Sequence, residues 1–219
     1  MINNQILKVK NSIGDNVKLV AVSKTKPINY IKNVYDKGQL IFGENRVNEL
    51  VEKHEALPKD ISWHFIGHLQ SNKVKYIAPF IKLIHSVDSL KLMKEINKQA
   101  KKNNRIIECL LQFHIAKEDS KFGLNLPVAQ KILGSIEFSE MKNISICGVM
   151  GMASFTDNKE EVKNEFRTLK NYFNILKGKY FNNQSHFEHI SMGMSGDYEI
   201  AINEGSTMIR IGSLIFGER

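Results

Sequence analysis

The sequence predicts an α/β fold, a single (β/α)₈ barrel with an extra N-terminal helix, on three observations. Short β-rich apolar runs alternate with longer amphipathic stretches along the whole chain. The alternation recurs about eight times with no linker or composition break, as a parallel sheet closed into a barrel requires. Polar residues suited to binding an anion fall where the apolar runs end, the end at which barrels carry their sites. An open doubly wound sheet is the alternative that the same alternation allows.

The elements follow in order. Residues 1–13 read as the leading helix, ended near Gly14-Asp15. Residues 18–24 form the first strand, followed by a helix over 27–37, with Pro27 in its first turn and Gly38 as its stop. Strands at 40–45, 62–67 and 82–87 are each followed by a helix, the last of them lysine-rich. A strand at 106–115 leads into a polar loop, 116–123, placed to act as a lid, and then a helix opened by Pro127. A strand at 144–152, a helix at 159–176, a strand at 187–192, a short helix at 197–203 and a last strand at 207–216 complete one domain over 1–219.

Composition narrows the function. The 219 residues are 42% hydrophobic and 25% charged, enough for a core without disulfides or a structural metal. No apolar run reaches the roughly 18 residues that span a bilayer, and no signal peptide is read, so a cytoplasmic protein without a membrane partner is expected. Cys109 and Cys147 lie in apolar runs with no CxxC and read as buried strand residues. The net charge of +8 is spread along the chain. Its densest stretch, Lys91 to Arg105, has the spacing of a solvated helix face. No nucleic-acid-binding motif accompanies it, so no nucleic-acid partner is expected. His64 with His68, and His186 with His189, lack a further ligand nearby in sequence, and no metal site is assigned.

The chemistry gathers at the strand ends. Lys24 follows the first strand, Asn45 the second, and His64 and His68 flank the end of the third. The seventh ends in Ser191-Met-Gly-Met-Ser195 and the eighth carries Arg210-Ile-Gly-Ser213. Barrels often bind phosphate at the loops after strands seven and eight, and a serine-glycine turn offers hydroxyls and backbone N–H groups there. Side chains alternate across a strand, so Lys24 shares a face with Val20 and Val22, and Arg210 with Met208 and Gly212. A lysine and an arginine on faces lining a barrel are unfavourable without an anionic or aromatic partner, which a phosphorylated ring would supply.

These residues resemble the YggS/PROSC family of pyridoxal 5′-phosphate (PLP) homeostasis proteins. The segments that carry the resemblance are Ala21-Val-Ser-Lys-Thr-Lys-Pro27, Phe42-Gly-Glu-Asn45, Trp63-His-Phe-Ile-Gly67 with Leu69-Gln-Ser-Asn-Lys73, and Glu118-Asp-Ser-Lys121. Ser191-Met-Gly-Met-Ser195 and Gly205-Ser-Thr-Met-Ile-Arg-Ile-Gly-Ser213 with Ile215-Phe-Gly217 follow in the family's order. The resemblance implies a fold-type III PLP-binding TIM barrel, like the N-terminal domain of alanine racemase, with PLP as cofactor. It places PLP on Lys24 as an internal aldimine, the phosphate on Ser191, Gly212 and Ser213, the pyridine nitrogen on Arg210, and Asn45 near the ring.

The same resemblance implies an intracellular PLP carrier or buffer with no catalytic residues. Its implied partners are PLP and PLP-dependent apo-enzymes, and a monomer is expected. The alternative is a PLP-dependent amino acid racemase of the alanine racemase type. Such racemases draw a catalytic tyrosine from a second domain. No β-rich stretch follows the eighth strand here, and none of the six tyrosines lies in a segment that matches that role.

Overall fold

A computed structural model describes residues 2–117 and 122–218. Residues 118–121, central to the lid reading, lie outside them. Eight strands close into a barrel in chain order: β1 (Lys18–Val22), β2 (Ile41–Glu44), β3 (Ser62–Phe65), β4 (Leu83–Val87), β5 (Ile107–Phe113), β6 (Ile144–Gly151), β7 (His189–Ser191) and β8 (Met208–Ile211). Every neighbouring pair is parallel, and β8 returns to β1 with Val20 opposite Arg210. The closed barrel is therefore the fold, and the open sheet is not.

Helices fill the crossovers among the described residues. They are α1 (Ile2–Ile13), α2 (Ile28–Tyr35), α3 (Val47–Ala56), α4 (Val74–Ile77, entered through a 3₁₀ turn at Ser71–Lys73), α5 (Leu90–Lys102), α6 (Leu126–Leu133), α7 (Ile136–Ser139), α8 (Lys159–Tyr180), α9 (Tyr198–Asn203) and α10 (Ser213–Phe216). Several begin on a side-chain cap: Ser89 Oγ accepts from Leu92 N–H, Asn125 Oδ1 from Val128 N–H and Asn158 Oδ1 from Glu161 N–H. No helix among the described residues is long and apolar enough to cross a membrane.

Strand parity sorts two cores. Leu19 and Ala21 face the helices in the main apolar core, whereas Val20 points inward. The barrel interior is plugged by Val20, Leu83, Leu110, Cys147, Met150 and Met208. Both cysteines are buried, Cys109 in the outer core and Cys147 in the inner one, and burial pushes both thiols upward, away from the reactive thiolate. Helix α8 contributes Phe166 and Leu169, neither with measurable exposure, each worth roughly 1.5–3 kcal/mol of burial.

The elements depart from the sequence reading in four places. Pro27 caps α2 in extended backbone (ψ 154°) rather than entering its first turn. Helix α8 runs past Leu176 and over Gly178 to Tyr180, whose hydroxyl donates to Gln130 O at 3.1 Å. The short α7, capped by Ser135, was not foreseen. The apolar run to Phe216 is not all strand: β8 ends at Ile211, and residues 213–216 turn into α10. There Ile215 and Phe216 bury against the outer core and α10 packs on α1, a gain that β8 could not offer once it had passed the rim.

Candidate functional site

A cavity of about 530 Å³ opens at the C-terminal ends of the strands, within the usual range for small-molecule sites. Lys24, Asn45, Arg210, Gly212 and Ser213 all line it. These five were singled out from the sequence, and barrel closure brings them to one place.

The turn that presents Lys24 is tied down on both sides. Buried Lys53, on α3, donates to Ser23 O at 2.7 Å, Glu44 Oε1 at 2.7 Å and Glu49 Oε1 at 2.6 Å. Ser23 Oγ donates to Glu44 Oε1 at 2.6 Å, and Thr25 N–H donates to Glu49 Oε1 at 2.5 Å. Thr25 stands at φ 64°, a left-handed conformation that a β-branched residue adopts only when held there. Burial pushes the Glu44 carboxyl above its usual range, against the opposing pull of the Lys53 charge and the Lys53 and Ser23 hydrogen bonds. The sequence reading singles out neither Lys53 nor Glu49.

Lys26 also reaches the cavity wall, but its Nζ donates to the carbonyls of Phe216, Gly217 and Glu218 at 3.3, 3.0 and 3.1 Å. That set takes up the three N–H groups of an ammonium and ties the β1 loop to the end of α10.

Arg210 enters the cavity from β8 while only 4% exposed. Its Nη1 donates to Ser191 Oγ at 2.7 Å and its Nη2 to Gly151 O at 3.0 Å. Burial pushes the guanidinium down to about 10, with Asp197 opposing, so it stays charged at neutral pH. With five N–H groups on a guanidinium, the two bonds leave others to serve a ligand.

Ser191, the sixth residue singled out from the sequence, stands apart from these five. It ends β7 with no exposure, it does not line the cavity, and its hydroxyl holds Arg210. The other serine of the same motif, Ser195, lies past the Gly193 turn at the cavity wall, where its Oγ accepts from Gly212 N–H at 3.3 Å. That bond joins the loops after β7 and β8. No hydrogen bond among the described residues uses the N–H groups of Ser195, Gly196 or Ser213, so serine hydroxyls and backbone amides converge on one patch of wall. Such a patch suits an oxyanion.

Asn45 reaches the cavity because Gly67 lets two strand ends meet. A Cβ on Gly67 would lie 2.3 Å from Asn45 O. The Oδ1 atom of Asn45 is buried with no partner among the described residues, a polar atom that a ligand could satisfy. Gly67→Ala should therefore displace Asn45 and destabilise the chain by about 1–3 kcal/mol. Urea unfolding would measure it, and an unchanged midpoint would contradict the close approach.

An amine, a buried guanidinium and a wall that suits an oxyanion meet at the mouth of a parallel barrel, the end at which barrel proteins carry small-molecule sites. The comparisons with known proteins agree. Residues 1–219 match the family model described as alanine racemase, N-terminal domain. A pyridoxal phosphate homeostasis protein of Aquifex aeolicus is 41% identical over 209 residues, 94% of this chain and 89% of that one. One from Haemophilus influenzae is 39% identical over 215 residues, 97% of this chain and 89% of that one. The structure of PipY from Synechococcus elongatus without PLP superposes with a TM-score of 0.92 at 31% identity, covering 99% of this chain and all of PipY; its PLP-bound form gives 0.89. An alanine racemase of Clostridium difficile shares the fold, with a TM-score of 0.79 at 15% identity, over 56% of its length. The chain belongs to the family of the alanine racemase N-terminal domain, in its pyridoxal phosphate homeostasis branch.

Proposed function

We propose that this chain binds PLP through Lys24 and serves vitamin B6 homeostasis as a carrier that holds and releases the cofactor. The observation that carries the reading is the convergence of Lys24, Arg210 and the Ser195–Gly196 and Gly212–Ser213 loops on one cavity. PLP supplies an aldehyde that condenses with an amine, losing water, and exchanges that amine for another.

Each residue then has a task. Lys24 provides the amine from a turn fixed by Lys53 and Glu49. Ser195, Gly196 and Ser213 hold the phosphate by hydroxyl and backbone N–H groups, while Gly212 lines the same wall and its N–H orients Ser195 Oγ. Arg210 donates to the pyridine nitrogen and, remaining protonated, does not pass it a proton. A ring nitrogen left unprotonated is a weak electron sink, so the site restrains carbanion chemistry while it keeps the aldehyde from stray amines. The name borne by its relatives supports a homeostatic role. We take PLP-dependent apo-enzymes as the recipients, and the chain as a cytoplasmic monomer that is not a racemase.

Protein incubated with PLP and desalted should keep a visible absorption band, and borohydride should fix the cofactor to the peptide containing residue 24. Lys24→Ala should lose the band and bind PLP on the order of a hundredfold more weakly, about 2.7 kcal/mol. Equal retention by the variant would remove Lys24 from its role. Solvent deuterium should not enter the α-carbon of alanine faster than with free PLP; faster exchange would favour a racemase.

A further inference from the structure

Four polar side chains touch in single file inside the barrel. Arg210 Nη1 donates to Ser191 Oγ at 2.7 Å. Ser191 Oγ lies 3.0 Å from Nδ1 of His85, and Nε2 of His85 lies 3.0 Å from Nδ1 of His64. All four are buried, and they come from β8, β7, β4 and β3.

Proton counting gives the file a direction. A guanidinium can only donate, so Ser191 accepts from Arg210. The one other partner of Ser191 Oγ among the described residues is His85, so the hydroxyl proton points to Nδ1 of His85. Nδ1 is then an acceptor, and the ring proton of His85 sits on Nε2. That proton is given to Nδ1 of His64, which fixes the same tautomer there. The file is satisfied throughout only while both imidazoles are neutral. Burial enforces this, holding His64 down at about 3 and His85 well below its usual range.

We propose that His85 is a positioning residue for Arg210, acting through Ser191, and that His64 locks the tautomer in which it does so. The inference rests on the reading of Arg210 as the partner of the PLP ring nitrogen. An acceptor at His85 orients the serine hydroxyl so that its lone pairs face the guanidinium, and a chain of such bonds strengthens each member. Without that acceptor the hydroxyl turns, Arg210 loses a defined partner, and the ring nitrogen meets a mobile donor.

The test uses the full chain with His85→Leu, His85→Asn and Ser191→Ala. Each is read by the Kd for PLP, the absorption maximum of bound PLP and the Kd for inorganic phosphate in the same cavity. His85→Leu and Ser191→Ala should each weaken PLP about tenfold, as loss of a hydrogen bond to a charged group does, and shift the absorption maximum, while phosphate binding stays as in the wild type. His85→Asn places an amide oxygen near the position of Nδ1 and should restore both PLP readouts. PLP affinity and absorption maximum unchanged in His85→Leu would overturn the proposal, and so would equal weakening of PLP and phosphate, which marks a general loosening. Should His85→Leu fail to fold, Ser191→Ala with an unmoved maximum overturns it alone. A wild type that binds phosphate but retains no PLP would instead remove the underlying cofactor reading.

Discussion

Lys53→Met should destabilise the protein by about 3–5 kcal/mol, the range for removing one partner of a buried ion pair. The side chain of Glu44 has no exposure and that of Lys53 has 5%. Glu44 Oε2 already lacks a partner among the described residues. Without the ammonium, the carboxyl must either stay charged in an apolar site or take up a proton, and both oppose folding. Urea unfolding of Lys53→Met and of the double variant Lys53→Met/Glu44→Leu would separate the causes. The double variant should recover most of the loss, because an apolar pair of similar volume replaces buried charges at little net change. PLP binding should not recover with it, because Ser23 O still lacks its donor and the turn carrying Lys24 stays loose. A loss below about 1 kcal/mol in the single variant would mean that the pair is better solvated than its geometry indicates.

That network also shows where sequence reasoning stops. The barrel, its parallel order and the inward faces of β1 and β8 were legible, because alternation with a period of two is a local property and barrel closure converts it directly into inside and outside. Val20, Met208 and Arg210 lie on the face that parity assigns them. Lys53 and Glu49 were not legible, because nothing local distinguishes a helix lysine that meets solvent from one that reaches under a strand end. The sequence reading paired His64 with His68, four residues away, and did not single out His85. His64 and His85 are 21 residues apart on adjacent strands, and only the packed interior shows that they complete a file ending at Arg210.

The two serines of the seventh-strand motif illustrate a finer limit. The motif offers both hydroxyls to an anion and the family resemblance points to Ser191, yet the two serines stand on opposite sides of the Gly193 turn (φ 97°). Ser191 is still strand and points into the interior, whereas Ser195 has left it for the cavity wall. Strand length decides between them, and β7 is only 3 residues long. The same cause explains α10: an apolar run says that residues bury, not whether they do so in a sheet or against α1.

Acid should weaken the fold in a window set by the buried histidines. His64 is held at about 3 against an ordinary 6.5, first by burial and then by electrostatic repulsion from His189, Lys18 and Lys82. His85 is lowered in the same direction, first by burial and then by His64 and Arg210. Because the folded values lie below the unfolded one, the unfolded chain takes up protons first as pH falls. Stability is therefore fully present above 6.5 and drains as pH drops toward about 3. Each histidine contributes a slope of about 1.4 kcal/mol per pH unit, so two units of acidification should remove about 2.7 kcal/mol through His64 alone. Urea midpoints from about pH 7 down to 4.5 would follow this for the wild type and for His64→Asn, whose amide oxygen can still accept from His85. The variant should lose stability with a slope shallower by one histidine, which isolates the effect from carboxylates common to both proteins. Parallel slopes would show that His64 is protonated within the folded barrel. In that case the tautomer argument for Arg210 would hold only near neutrality, because a protonated His64 has no acceptor to offer His85.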